Sequence, residues 1–268
     1  MVIPIEFTKE YIEENSPKEN QLFSGFLKSG EPYKSIFKNN PWLIPPDTSK
    51  PLEWGKGMYW DTTVARKHDY WKDFDLPQPT KDINVMRQNI LEWGYCLVED
   101  AMSEEQCERF ITRIHQQAKG EKLAGVNAKS STGQYLHSLI NKGQVFRECI
   151  EQNPNSVQAG PLIEQILNET LGYGWICHSF LSNGADPGGY PQGMHMDQGP
   201  LLPWVTEEAP ALFNTMYIPQ DVNEENGGTL LIPGSHKIFM EAGSGGEIGK
   251  LPPTINLEAK AGTIMLFD

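Results

Sequence analysis

The stretch QGMHMDQG, residues 192–199, sets an imidazole and a carboxylate two residues apart, His195 and Asp197, between glycines. On extended backbone, residues i and i+2 project to the same face, so His195 and Asp197 point together with Met196 opposite. Adjacent nitrogen and carboxylate donors are two members of the facial two-histidine, one-carboxylate set that holds non-haem Fe(II) and keeps positions open for a co-substrate and O2. The third donor then has to come from another strand, later in the chain. H-x-D is also a common tripeptide. The same residues on a polar loop would bind nothing, and side by side they could work as an acid–base pair in a hydrolase. No nucleophile motif such as G-x-S-x-G accompanies them, which ranks the hydrolase last.

Context narrows the choice. Residues 223–237 read NEENGGTLLIPGSHK. An H-x-D, an intervening strand and then ENGGTLLIPGSHK together resemble the phytanoyl-CoA dioxygenase family of Fe(II)/2-oxoglutarate oxygenases. The upstream EWGYCLVEDAMSEEQCERF is similar to the start of that family's domain. The resemblance runs from about residue 85 to the end, and the first 80 residues match nothing comparable.

The resemblance implies a mainly β fold, a double-stranded β-helix (a cupin-like jelly roll) with flanking α-helices. It implies oxidative decarboxylation of 2-oxoglutarate to succinate, coupled through Fe(II) and O2 to oxidation of an unactivated C–H bond. His195 and Asp197 map onto the first two metal ligands and are the candidate catalytic pair. Gln192 and Thr229 match positions at which natural-product members of the family hold 2-oxoglutarate. Both side chains can hydrogen-bond a carboxylate or keto oxygen, and both could equally make structural hydrogen bonds. His236 is the only histidine after Asp197. In the family pattern the histidine of PGSHK is not a metal ligand; it follows a Pro-Gly turn and fixes the loop. Retention of Asp197 favours hydroxylation or desaturation over halogenation, because halogenating relatives lose the carboxylate.

The expected substrate is a small apolar or acyl molecule. Trp175, Trp204, Phe213 and Met216 stand near the expected cavity in sequence, although core packing explains such residues equally well. In the family, the strand matching GTIMLFD leads shortly to the second histidine ligand and later to an arginine for the distal carboxylate of 2-oxoglutarate. The chain ends at Asp268. The expectation is therefore a sequence shortened at its C-terminus, with turnover by these 268 residues in question. Asp268 is expected to end the strand rather than to substitute as a ligand. A competing reading is a jelly-roll binding or regulatory protein without turnover, since fold does not fix function.

The elements that would position these residues are legible to different degrees. DINVMRQNILEW has apolar residues at helical spacing, and GYCLVED after it reads as a short strand. SEEQCERFITRIHQQ is an amphipathic helix in which Ser103 can cap and Gln106 can complete a capping box. PLIEQILNETLG predicts a further helix ending at Gly172. YGWICHSFLS and ALFNTMYIPQDV are rich in aromatic and β-branched residues and predict strands. GGTLLIPG, the alternating TINLEAK and GTIMLFD continue the series. His178 is expected to be a buried core residue and His115 a helix-surface residue, while His68 and His137 have no partner motif.

Residues 1–80 carry many prolines and aromatics and are expected to form an irregular arm packed on a core spanning residues 81–268. That arm could cover the sheet or build a homodimer contact. The formal net charge is -13, from 22 Lys+Arg against 35 Asp+Glu, which argues against nucleic acid and an anionic membrane as partners. The N-terminus shows no basic region followed by an apolar stretch, so the expected location is cytoplasmic. Four scattered cysteines without a C-x-x-C pair fit reduced, mostly buried thiols.

Overall fold

A computed structural model of the chain describes residues 71–126, 128–129, 133–187, 197, 210, 212–237 and 254–268. Most of the N-terminal arm, together with His195, Gln192, Trp204 and His68, lies outside the described residues. No helix among the described residues is long and apolar enough to cross a membrane.

The described chain begins with two pieces that frame a central sheet. Strand β1 (Pro79–Thr80) leads into helix α1 (Ile83–Trp93) and strand β2 (Tyr95–Val98). The Asp82 carboxylate caps α1 by accepting from the backbone N–H groups of Asn84 and Val85. Gly94 ends the helix in the left-handed region, at φ +80°, and turns the chain straight into β2. Helix α2 (Glu104–Leu123) follows, with Ser103 Oγ accepting from Gln106 N at 3.1 Å. Only this half of the expected capping box forms. Gln106 is buried, and its side-chain oxygen accepts instead from Arg109 Nη1 at 3.0 Å, while Arg109 reaches on to Glu148.

Next come strands β3 (Ala128–Lys129) and β4 (Gly133–Leu136), helix α3 (Gln144–Ile150), helix α4 (Gly160–Leu171) and strand β5 (Ser182–Ala185). Strands β6 (Asn214–Ile218), β7 (Leu230–Leu231), β8 (Ile255–Asn256) and β9 (Thr263–Phe267) complete the order. Among the described residues the strands form three sheets, ordered β1-β2-β9-β6, β3-β4-β5 and β7-β8. Every pairing is antiparallel except β1 with β2. The first and last segments of the domain thus meet: Cys96 pairs with Leu266 and Leu97 with Met265. The described portion is a mixed helix and sheet structure, with no barrel closure among these residues.

The two inner strands of the central sheet, β2 and β9, are buried on both faces, which explains why YCLV and IMLF read as unbroken apolar runs. One face presents Cys96, Val98, Ile264 and Leu266 to the helices, against Met86, Phe110, Phe146, Ile163 and Ile166. The other presents Tyr95, Leu97, Ile218 and Met265 to Trp71, Trp93, Ile232, Leu257 and Ala259. Leu231 and Ile255 of the β7-β8 sheet pack on this second cluster, so the smaller sheet faces the larger. Burying side chains of this size contributes about 1.5–3 kcal/mol each. The two layers therefore dominate the stability of the domain. Trp71, Phe74 and Trp93 meet edge to face at 5.3–6.3 Å, tying the chain before β1 to the end of α1.

One expected strand is absent. YGWICHSFLS runs without strand pairing until Ser182, where β5 begins. Gly172 and Gly174 take positive φ at its start, Tyr173 and Ile176 are 92% and 81% exposed, and His178 is exposed rather than buried. Strand propensity counts only where a ladder partner is present, and no described residue forms a strand ladder with residues 173–181. Phe180 anchors it, packing with Phe110, Phe146 and Tyr217 while its carbonyl accepts from Leu139 N at 2.9 Å, and Trp175 packs on the same core. His115 is exposed on α2, as expected.

Candidate active site

Strand β6 meets two of the residues expected in the site. Asn214 pairs with Phe267, Met216 with Met265 and Ile218 with Thr263. Met216, Ile218, Met265 and Phe267 all belong to the cluster between the two sheets. Alternation along the strand puts Asn214 on this same inner face, two residues from Met216. It is a polar residue on an otherwise apolar face.

Two of the four expected site residues are described, and both meet this face. Asn214 Nδ2 donates to Asp197 Oδ2 at 2.8 Å. Thr229 Oγ1 lies 3.7 Å from Met216 Sδ and points its hydroxyl toward it. The contacts of Asp197 and Thr229 thus fall on next-but-one residues of one strand, about 7 Å apart along it. His195 and Gln192 lie outside the described residues. Asn214 was not anticipated; the signal for it is its place in NTMYI, on the side of Met216 and Ile218 rather than of Tyr217.

The NEENGGT segment is built to deliver Thr229. Asn223 Oδ1 accepts from the N–H groups of Glu225 and Asn226, at 2.9 and 3.1 Å. Asn226 Oδ1 accepts in return from Asn223 N at 2.9 Å, and Asn226 Nδ2 donates to Asp221 O at 2.7 Å. Gly228 N closes the turn on Asn223 O at 2.7 Å. Gly227 takes φ +88°, and a side chain on Gly228 would strike Asn256 and the Leu257 carbonyl. Leu257 N then donates to Thr229 O at 2.8 Å, seating Thr229 just ahead of β7.

The IPGSH segment is a dock for the end of α1. Gly234 N donates to Trp93 O at 2.8 Å, and the His236 ring nitrogen Nε2 lies 3.3 Å from Leu91 O. The ring sits so close to Gly94 that a Cβ there would approach His236 Nδ1 to 2.5 Å. His236 therefore fixes the loop against the helix terminus, in keeping with the loop role expected of it.

The aromatic residues divide by face. Phe213 and Trp175 pack on the helix side, Trp175 donating from Nε1 to Asn168 Oδ1 at 3.1 Å. Met216 and Phe267 lie on the inner face. Of the residues expected near a cavity, Phe213 and Trp175 are thus core, and Trp204 is outside the described residues. Asp268 follows Phe267 and extends the β2 pairing by one hydrogen bond, from its N–H to Gly94 O at 2.9 Å. Alternation turns its side chain away from the face that Asn214 and Phe267 share. Burial pushes the Cys96 and Cys149 thiols up to about 12, so neither offers a reactive thiolate, while Cys177 is exposed.

Among the described residues, no three His, Cys, Asp or Glu side chains gather into a metal-holding group. The donor chemistry nonetheless fits Fe(II). The Asp197 carboxylate is held in a set orientation over the inner face, with an imidazole two positions before it in sequence. A family model described as phytanoyl-CoA dioxygenase (PhyH) matches residues 90–268. No curated protein matches the chain significantly.

Proposed function

The chain belongs to the phytanoyl-CoA dioxygenase family, whose fold is a cupin-like jelly roll and whose general activity is Fe(II)/2-oxoglutarate-dependent oxygenation, and we propose that it is such a dioxygenase acting on a small apolar or acyl substrate. In this reading the two facing sheets are the two halves of a double-stranded β-helix. His195 and Asp197 hold the iron, and Gln192 and Thr229 hold 2-oxoglutarate. The observation that carries the reading is the convergence of Asp197 and Thr229 on adjacent inward positions of β6. Residues from either side of β6 in the chain meet next-but-one positions of one strand face.

Bound iron would supply the redox chemistry that couples decarboxylation of the co-substrate to C–H oxidation by O2. The chain's own residues hold and orient. The Asp197 carboxylate offers a hard oxygen donor, and its hydrogen bond from Asn214 fixes the plane it presents. The Thr229 hydroxyl can donate to a carboxylate of 2-oxoglutarate. Met216 and Phe267 give the inner face an apolar wall, which suits an apolar substrate.

The test is succinate release from 2-oxoglutarate under air, with and without Fe(II). Iron-dependent succinate formation that disappears in Asp197→Ala, with the circular dichroism spectrum unchanged, is the expected result. A folded chain that binds ligands yet releases no succinate would point to the binding-protein reading.

A further inference from the structure

We infer that Asn214 is a positioning residue for the metal, an outer partner that sets how the Asp197 carboxylate meets the ion. The inference rests on the proposed ligand role of Asp197. Its own support is the 2.8 Å hydrogen bond from Asn214 Nδ2 to Asp197 Oδ2 and the rigidity of the strand that carries the amide. β6 pairs with β9 over its whole length, and β9 is buried between the two apolar layers. Asn214 is therefore fixed by a framework that does not depend on the Asp197 loop. An amide N–H engaged on one carboxylate oxygen makes that oxygen a poorer second donor. Asn214 thus biases Asp197 toward ligation through a single oxygen. That economy matters in a facial site, which needs its remaining positions for the co-substrate and O2.

A structural account would give Asn214 only a place in the fold. Three observations separate the two: Co(II) affinity by anaerobic calorimetry, the visible absorption of the Co(II) chain, and unfolding of the metal-free chain. The variants are Asn214→Leu, which keeps the volume and removes the donor, Asn214→Ser, which keeps a hydroxyl on a shorter arm, and Asp197→Ala. Asn214→Leu is expected to weaken Co(II) binding by roughly 10–100-fold and to alter the Co(II) spectrum as the carboxylate turns to offer both oxygens. Asn214→Ser is expected between Leu and the parent. Should Asn214→Leu unfold, the affinity and spectrum of Asn214→Ser decide alone. Parent affinity and an unchanged spectrum in a folded Asn214 variant, while Asp197→Ala loses the metal, would overturn the positioning role and leave the ligand assignment standing. Parent affinity in Asp197→Ala would overturn both.

Discussion

Asn214 donates to Asp197 across 2.8 Å, from a strand locked into the central sheet to a residue 17 positions earlier in the chain. Two positions along the same strand face, Met216 meets Thr229. The functional reading grows from this pair of contacts. Asn214 is a half-buried polar side chain on an otherwise apolar face, and the partner it has is the carboxylate that the H-x-D spacing marks as a metal ligand.

Thr229 is exposed, and its hydroxyl meets only the Met216 sulfur among the described residues. Its replacement should barely touch the fold. Thr229→Ala is expected to change unfolding free energy by less than about 0.5 kcal/mol. The apparent KM for 2-oxoglutarate is expected to rise by roughly 10-fold, the cost of one hydrogen bond to a charged group. Steady-state succinate assays alongside denaturant melts check both. A destabilised variant with an unaltered KM would assign Thr229 to the fold instead.

His236 gives the opposite signature. Its hydrogen-bond contact with Leu91 O and its packing on Gly94 are structural. His236→Ala is expected to lose about 1–2 kcal/mol of stability. Its Fe(II) affinity should equal that of the parent. A large drop in metal affinity in a folded His236→Ala protein would make this histidine a ligand after all.

The same junction can be tested from the other side. Gly94 combines φ +80° with His236 pressed against its Cα. Gly94→Ala adds the left-handed strain of about 1–2 kcal/mol to the displacement of the ring. Chemical denaturation should show at least that loss. In a Gly94→Ala, His236→Ala double variant the loss should be less than additive, since the clash has gone.

How far the sequence foretold this arrangement depends on what kind of signal each element gives. Helices α1, α2 and α4 announce themselves through periodic apolar residues and through Asp82, Ser103 and Gly172 at their ends. The strands β2 and β9 were legible as apolar runs, yet nothing local says that Cys96 pairs with Leu266, some 170 residues away. Strands β3 and β4 were missed, because the Gly- and Ser-rich AKSSTGQYL reads as a loop when its partner β5 is unknown. YGWICHSFLS failed in the reverse sense, having strand composition without a described ladder partner. The site shows the same division. The H-x-D spacing marked Asp197 and the family resemblance marked Thr229, whereas Asn214 became visible only when its face was known.

Two groups of carboxyls should shape the pH profile of stability in separate windows. Burial pushes Asp268 up to about 7, above the usual carboxyl value of about 4. The folded state then holds this proton more tightly than the unfolded one. Stability should decline as pH rises between about 4 and about 7, and Asp268→Asn should abolish that decline. The Arg87 guanidinium, hydrogen-bonded at 2.6 and 2.8 Å, holds Glu169 down at about 2. Its small, exposed contribution is present above the ordinary carboxyl value and is lost as pH falls toward about 2. Denaturant midpoints measured across pH check both; parallel curves for Asp268→Asn and the parent would refute the first.

The proposal that an imidazole and the carboxylate beside it grip one iron atom is tested most directly by anaerobic Fe(II) titration of the chain and of Asp197→Ala. The expected result is a single site in the parent whose affinity falls by roughly two orders of magnitude or more in the variant. Equal Fe(II) affinity in the two folded proteins would contradict it.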